Sequence, residues 1–236
     1  DYATQWSYGV AESMTLLIPN FHGGSSMSSV LSIDDSQTLE FLRKFRNKKL
    51  ANALQFKAGS YWGEQPIVSG PTYVGAIVIF LFILGLLLVK NELRIWILLA
   101  TIMSLMLAWG KNFMPLTDFF LDYFPGYNKF RAVSMILVIA EFTIPLLAFI
   151  ALNKFLSSNS KFEDLKKLKI AFYTAGGITL IFALFPNMFL DFLSEKDLTP
   201  ISSGVKTPDG FLDGLIADRS SLLQSDSWRS FLFILL

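Results

Sequence analysis

Two basic residues, Lys129 and Arg131, lie between a Pro125-Gly126 break and a long apolar segment. An arginine can hold a phosphate through two parallel hydrogen bonds, and a neighbouring lysine adds a point charge. A phosphate held in this way would be stabilised as negative charge develops on it during bond breaking. The same residues are typical of interfacial anchoring, where long basic side chains reach the lipid headgroups. We keep both interpretations, and in the first of them Lys111 is a candidate helper.

Two carboxylates, Asp118 and Asp122, are four residues apart, so a helix would place both on one face. Paired carboxylates can position an acceptor hydroxyl, hold a divalent cation or act as a general base. The alternative is the wet face of an amphipathic helix along a membrane interface, with Phe119, Phe120 and Phe124 on its apolar face. Both residues are therefore weak candidates for catalysis, and a divalent cation is the cofactor that the pair suggests.

Glu141 lies within a long apolar segment, about 15 Å from Arg131 along a helix axis. An ionisable group at this depth of a membrane is costly and is a candidate for function. Pro145 would kink the helix and free a backbone carbonyl near Glu141. The structural alternative is a hydrogen bond to another helix, for which the candidate hydroxyls are Thr101, Ser104 and Thr179.

His22 is the only histidine, and the sequence has no cysteine. These counts exclude multi-histidine metal sites, thiolate metal sites and cysteine nucleophiles. His22 stands in the glycine-rich loop 21–26, in the same polar region as Glu12 and Glu64. The three side chains could bind a metal or an acceptor, although a lone histidine in such a loop is more often simply exposed. We predict no metal site.

The composition is typical of a membrane protein. Of the 236 residues, 53% are hydrophobic and 17% are charged, against about 25% charged residues in globular domains. The net charge of +1 argues against nucleic acid as a partner. We predict an all-α fold, a polytopic α-helical integral membrane protein with amphipathic or irregular extracytoplasmic loops and the lipid bilayer as its surroundings.

Hydropathy places the membrane-spanning segments in the middle of the chain. Residues 1–71 hold no apolar run that could span, and helical spacing predicts one amphipathic helix over about residues 36–56. Four spans follow, at about residues 72–89, 93–109, 130–152 and 168–189. The short turn after residue 89 predicts that the first two spans form a helical hairpin.

The segments between and after these spans are polar. The loop after the second span contains a predicted interfacial helix over about residues 116–124. Residues 190–227 are predicted to be a loop with a short amphipathic stretch near residues 211–223. Residues 228–236 are predicted to begin a fifth, truncated span. Because the sequence starts without methionine and stops within an apolar run, we interpret it as an internal piece of a longer multi-pass protein.

The basic residues predict the orientation. The short loops 90–94 and 153–169 together carry seven lysines and arginines. The positive-inside rule gives most weight to short loops, so these two would face the cytoplasm. The longer segments 1–71, 110–129 and 190–227 would then lie on the outer side of the membrane.

Five stretches combine aromatic, glycine and polar residues, namely 2–9 (YATQWSYG), 17–25 (LIPNFHGGS), 61–66 (YWGEQP), 109–113 (WGKNF) and 124–131 (FPGYNKFR). They resemble the YfhO family of bacterial membrane proteins, particularly its Bacteroidetes-type members, and the resemblance covers most of the chain. Family members are considerably longer than this sequence.

The resemblance implies an architecture similar to the GT-C glycosyltransferases, which move a sugar from a polyprenyl-phosphate carrier to an acceptor outside the membrane. It implies a lipid-linked sugar donor and an envelope polymer or lipid acceptor as partners. Lys129 and Arg131, with Lys111, would bind the donor phosphate, and Asp118 and Asp122 would shape the acceptor side. The usual catalytic carboxylate of such enzymes lies in a first outer loop, which would precede this piece.

Two other functions fit the same sequence. A transporter or flippase of an envelope lipid or polymer would use Glu141 and Pro145 as a proton-coupled or gating element. A non-catalytic membrane scaffold would need neither group. A transferase requires its essential residues at the outer interface, whereas a transporter requires them at mid-depth.

Overall fold

The computed structural model describes residues 4–129, 132–158, 161–201 and 204–236. Within these ranges the chain is all-helical and contains no β-strand. The α-helices of these ranges are α1 Gln37–Lys44, α2 Lys48–Gln55, α3 Ala76–Leu88, α4 Glu92–Ala108, α5 Met114–Tyr123, α6 Leu137–Leu156, α7 Lys161–Leu184, α8 Glu195–Leu198 and α9 Asp209–Leu235.

The five longest helices form a bundle in which neighbours in space are not neighbours in sequence. Helix α3 packs mainly on α6 and α7, while α4 packs on α6 and α7 packs on α9. Helix α6 therefore lies between α3 and α4, which touch each other only slightly. The predicted hairpin of the first two spans is wrong, because a short turn brings two helix ends together but does not make the helices pack.

Helices α3 and α6 approach closely at Gly85. A Cβ atom at this position would lie 2.8 Å from Leu147 Cγ and 3.2 Å from Ala151 Cβ. Such distances are too short for real side chains, so glycine is what allows the two helices to pack. Leu147 and Ala151 are themselves fully buried.

We expect Gly85→Ala to lower the free energy of unfolding by up to about 2 kcal/mol, because overpacking costs about 1–3 kcal/mol and the gain in helix propensity offsets about 1 kcal/mol of it. Gly177→Ala in α7 is the matched control, since no atom lies within 4 Å of its added Cβ. The control should raise the unfolding temperature in detergent slightly. Equal effects of the two substitutions would show that the α3–α6 contact is not tight.

Two helical segments, Val133–Leu156 and Phe162–Leu184, are long and apolar enough to cross a membrane. Glu92–Ala108 reaches that length only together with Gly110–Tyr123, from which it is bent by 114°. Ala76–Leu88 is a shorter apolar helix of 13 residues, about 20 Å long. The described residues thus contain two candidate spans, or three if the bent pair counts as one.

The single amphipathic helix predicted over residues 36–56 is two helices, α1 and α2. Phe45 is extended, with φ −76° and ψ 119°, and ends α1. Asn47 then starts α2, because its side chain accepts a hydrogen bond from the Leu50 amide at 3.2 Å. The apolar spacing continues through the break, so periodicity alone could not show it.

Helix α9 occupies residues 209–227 of the loop predicted at residues 190–227 and continues through the separate span predicted from residue 228. It runs without interruption for 27 residues and contains six buried polar residues, namely Asp218, Arg219, Ser220, Asp226, Ser227 and Ser230. These residues lower the local hydropathy, and low hydropathy predicts a loop. Several of them bond to partners far away in the sequence, which stabilises them inside a helix.

One end of the bundle carries a layer made of two parts, residues 4–75 and residues 185–201 with 204–208, which we call the cap. Its two parts are joined by Lys57, whose Nζ atom donates to the carbonyls of Lys196 at 3.1 Å and Asp197 at 3.3 Å. The Lys196 side chain donates in turn to the Pro66 carbonyl at 2.9 Å. Polar segments from opposite ends of the sequence therefore build one unit.

The cap packs against the C-terminal ends of α4 and α7. The Tyr8 amide donates to the carbonyl of Ala108, at the end of α4, at 2.8 Å. Phe21 packs edge-on against Phe182, near the end of α7, with ring centroids 4.9 Å apart. Lys90 follows the C-terminal end of α3, and Lys154 lies in the last turn of α6. Both of these helix ends are distant from the cap. The charged turns and the cap are thus at opposite ends of the bundle.

Candidate functional site

A cavity of about 250 Å³, here called the polar cavity, opens in the cap. Its walls come from the N-terminal segment, the loop of His22, the segment 61–72 and the turn before α6. The lining residues are Trp6, Tyr8, Glu12, Thr15, His22, Gly24, Tyr61, Gln65, Ile67, Val68, Ser69, Gly70, Pro71, Thr72, Ser134 and Met135.

Glu12 organises one wall of this cavity. Its side chain is buried, and its carboxylate accepts hydrogen bonds from the amides of Gly9 at 2.8 Å and Glu64 at 3.2 Å. The Tyr61 hydroxyl also donates to it, and Gln65 Nε2 approaches at 3.5 Å. A buried carboxylate with this many donors is satisfied, so Glu12 holds the surrounding segments in place and is not free to act as a base.

Two phenols, Tyr8 and Tyr61, lie beside Glu12. Burial raises the pKa of both hydroxyls above their usual range, and the negative charge of Glu12 raises them further. The Tyr8 hydroxyl donates to the Glu12 carbonyl at 2.8 Å. Both phenols are therefore neutral at physiological pH and serve as hydrogen-bonding groups.

His22 is 8% exposed, so the expectation of an exposed loop histidine is wrong. Its ring lies against Trp62, with centroids 4.2 Å apart, and against Phe21 at 5.3 Å. Burial lowers the pKa of His22 to about 4, so the imidazole is neutral at pH 7. Its Nδ1 atom is buried without a hydrogen-bond partner among the described residues. Such an atom costs about 1–3 kcal/mol, which a ligand hydroxyl could recover.

The loop that presents His22 depends on glycine. Gly23 and Gly24 have φ values of +88° and +81°, in the left-handed region that favours glycine. Ser60 Oγ donates to the Gly23 carbonyl at 2.6 Å, and the Trp62 amide donates to the His22 carbonyl at 3.0 Å. These bonds fix the His22 loop to the segment that carries Tyr61.

The segment after α4 anchors the cap. Trp109 Nε1 donates to Ser13 Oγ at 2.9 Å. Asn112 Nδ2 donates to the Tyr8 carbonyl at 3.0 Å and to the Glu64 carboxylate at 2.8 Å. Glu64 therefore bonds to this segment and does not line the polar cavity with Glu12 and His22.

A second cavity of about 440 Å³ lies beside the first and is here called the apolar cavity. Its walls come from α4, α5, the turn after α5 and the start of α6, and its lining residues are Leu107, Phe120, Phe124, Pro125, Tyr127, Ala132, Val133, Met135, Ile136, Val138 and Ile139. Met135, which is 72% exposed, lines both cavities, so the polar and the apolar cavity are neighbours on either side of this residue.

The stretches that resemble the YfhO family are brought together by the fold. Residues of 2–9, 17–25 and 61–66 line the polar cavity, and 109–113 anchors its walls. The stretch 124–131 contributes Phe124, Pro125 and Tyr127 to the apolar cavity. Segments up to 120 positions apart thus surround one composite site.

The predicted phosphate-binding residues lie apart from the polar cavity. Lys129 is exposed and ends a short 3-10 helix that begins with Tyr127, a residue of the apolar cavity. Lys111 Nζ lies 3.6 Å from the Glu64 carboxylate, with both side chains about half exposed. Arg131 lies outside the described residues, so its role stays a prediction.

Asp118 and Asp122 are both exposed on α5 and line neither cavity. Among the residues that the structure describes, no three His, Asp or Glu side chains come close enough to hold a metal ion. The acceptor-side role of the two aspartates stays a prediction.

Glu141 lies on an exposed face of α6, in the second turn of the helix. The three hydroxyls considered as partners of Glu141 bond to other groups: Thr101 to Thr143 at 2.7 Å, Ser104 to the Ile136 carbonyl at 2.7 Å and Thr179 to the Gly176 carbonyl at 2.9 Å. Glu141 lines neither cavity.

Four residues of the polar cavity were not predicted from the sequence as site residues, namely Tyr8, Tyr61, Gln65 and Met135. Tyr8, Tyr61 and Gln65 belong to the aromatic and polar stretches 2–9 and 61–66, whose composition could have indicated a site. Met135 carried no signal, because an isolated methionine in an apolar segment resembles any core residue.

The chain matches no protein-family model, no curated protein and no solved structure. The resemblance to the YfhO family therefore stays a prediction that rests on the motifs.

Proposed function

We propose that this chain is a polytopic protein of a bacterial inner membrane whose cap binds a polyprenyl-phosphate-linked sugar and passes the sugar to an envelope acceptor. The observation that carries the proposal is the junction of the polar and apolar cavities at Met135. A lipid-linked sugar has the same division, with a hydroxylated ring at one end and a hydrocarbon chain at the other. Ligand sites usually combine apolar walls with a few well-placed polar groups.

The charge distribution supports an outward-facing cap. Lys90, Arg94 and Lys154 lie at the end of the bundle opposite the cap. Basic residues of short loops mark the cytoplasmic side. The cap and both cavities would then face the compartment in which lipid-linked sugars are used to build the envelope.

Each part of the substrate has its own region in this proposal. The sugar occupies the polar cavity, and the first isoprene units occupy the apolar cavity. Lys129, on the turn beside the apolar cavity, supplies positive charge for the phosphate, together with Arg131. Lys111 is paired with Glu64 and is not assigned to the phosphate. Glu12 is a positioning residue, and we assign no catalytic base to the described residues.

The location of both cavities favours this function over a transporter. A transporter would place its essential group at mid-depth, along a path through the bundle. Glu141 lies on an exposed helix face and is not among the residues that line either cavity. Both cavities lie at the cap end, where a transferase is expected to bind its donor.

The junction can be blocked with Met135→Trp. We expect this variant to bind an isoprenyl phosphate that carries glucose at least tenfold more weakly, about 1.4 kcal/mol, because the larger side chain separates the two cavities. Binding is measured in lipid nanodiscs, and transfer of radiolabelled sugar is measured in vesicles that contain envelope lipids of the native host.

Met27→Trp is the matched control, since Met27 is 88% exposed and lines neither cavity. It should bind and transfer like the wild-type protein. Wild-type protein that neither binds the glycolipid nor transfers its sugar would refute the proposal. Unchanged binding by Met135→Trp would show that the junction is not the site.

A further inference from the structure

The polar cavity has an unusual balance of charge for a site next to a phosphate. Among the described residues that line it, Glu12 is the one carboxylate, and there is no lysine or arginine. His22 adds no positive charge at neutral pH, because burial keeps its imidazole neutral. The cavity therefore carries negative charge or none.

The remaining lining groups can contact a ligand that carries uncharged hydroxyl groups. Trp6, Tyr8 and Tyr61 present aromatic rings, and Thr72 and Ser134 add hydroxyl groups. His22 Nδ1 is a buried polar atom with no partner among the described residues. A hydroxyl both donates and accepts, so it can pair with the imidazole in either neutral tautomer.

A ligand that carries a carboxylate would meet the Glu12 charge in a partly buried site whose described lining residues offer no cation to offset it. Like charges repel strongly where water is excluded. Four donors hold the Glu12 carboxylate in place, so it cannot turn away from such a ligand.

We propose that the polar cavity selects an uncharged polyhydroxylated ring over one that carries a carboxylate, with His22 as the hydrogen-bond partner of a ring hydroxyl. This inference rests on the proposed function and specifies its substrate class. The phosphate of the donor lies outside the polar cavity, on the side of Met135 where the turn that ends in Lys129 borders the apolar cavity.

Three probes test the selectivity with wild-type protein in nanodiscs of phosphatidylethanolamine and phosphatidylglycerol. They are an isoprenyl phosphate, the same lipid carrying glucose and the same lipid carrying glucuronic acid. We expect the glucosyl lipid to bind more tightly than the bare lipid and at least about tenfold more tightly than the glucuronosyl lipid. Equal or tighter binding of the glucuronosyl lipid would overturn the inference and leave the proposed function intact. If none of the three probes binds, the proposed function itself fails.

Substitutions of His22 test its role. His22→Phe keeps an aromatic ring against Trp62 but removes both ring nitrogens, and should weaken binding of the glucosyl lipid about tenfold. His22→Asn keeps a group that can donate and accept, and should retain most of the affinity. Both variants should bind the bare isoprenyl phosphate like the wild type, which also shows that they are folded. Equal affinity of His22→Phe and wild type for the glucosyl lipid would exclude His22 as a contact.

Discussion

Arg219→Met is expected to lower the free energy of unfolding by about 3–5 kcal/mol, the cost of breaking a buried ion pair by removing one partner. The Arg219 and Asp197 side chains are only 1% and 5% exposed, and their closest N–O distance is 2.7 Å. Arg219 also donates to the carbonyls of Phe192 at 2.7 Å and Gly59 at 2.8 Å. The substitution would leave a buried carboxylate unpaired and two carbonyls without this donor.

Arg229→Met provides the matched control on the same helix. Arg229 pairs with Asp226 at 2.8 Å, but its side chain is 53% exposed. The Asp226 side chain is only 11% exposed, but it keeps the hydrogen bond from Asn20 Nδ2 at 2.9 Å when Arg229 is removed. This variant should therefore lose much less, about 1 kcal/mol. Thermal unfolding in detergent should show a loss of roughly 10 °C for Arg219→Met. Adding Asp197→Asn to Arg219→Met should recover part of that loss, because it removes the unpaired charge. Similar midpoints for Arg219→Met and Arg229→Met would show that the buried pair does not hold the cap on α9.

Glu12→Gln is expected to have the second largest effect, a loss of about 2–4 kcal/mol. The carboxylate accepts from four donors. An amide keeps one oxygen and turns its NH2 group toward some of those donors. The wall of the polar cavity would therefore loosen, so this variant should also bind the glucosyl lipid more weakly.

Glu64→Gln is the control in the same segment of the cap. Glu64 is about half exposed and pairs with Lys111 at 3.6 Å, so the variant should lose less than about 1 kcal/mol. Thermal unfolding and glycolipid binding are measured for both variants. A Glu12→Gln protein as stable as Glu64→Gln would mean that the Glu12 hydrogen bonds do not hold the cap.

The sequence by itself determined the helical class and the location of the apolar helices. Hydropathy is a local property, so the segments near α3, α4, α6 and α7 could be recognised without knowing what they touch. The interfacial helix predicted at residues 116–124 corresponds to α5, which begins at Met114 with a proline in its first turn. These features depend on residues that are close together in the chain.

Features that depend on distant partners could not be predicted. Ser36 caps α1, and Asp218 in α9 accepts from Ser36 Oγ at 2.7 Å and from the Gln37 amide at 2.8 Å. Asp226 accepts from Asn20 Nδ2 at 2.9 Å. In each case the polar residue alone predicts a loop, because the partner that it bonds to inside the fold is about 180 or more positions away.

The same distinction between local features and features that depend on distant partners applies to the candidate site. The motif stretches pointed to the residues that line the cavities, because unusual aromatic and glycine-rich composition is visible in the sequence. Only the tertiary structure decided that Glu12 is a satisfied structural carboxylate, that His22 is buried and neutral, and that Met135 joins two cavities. The physical reason is that burial, hydrogen-bond satisfaction and cavity shape arise when distant segments pack together, and no local pattern carries them.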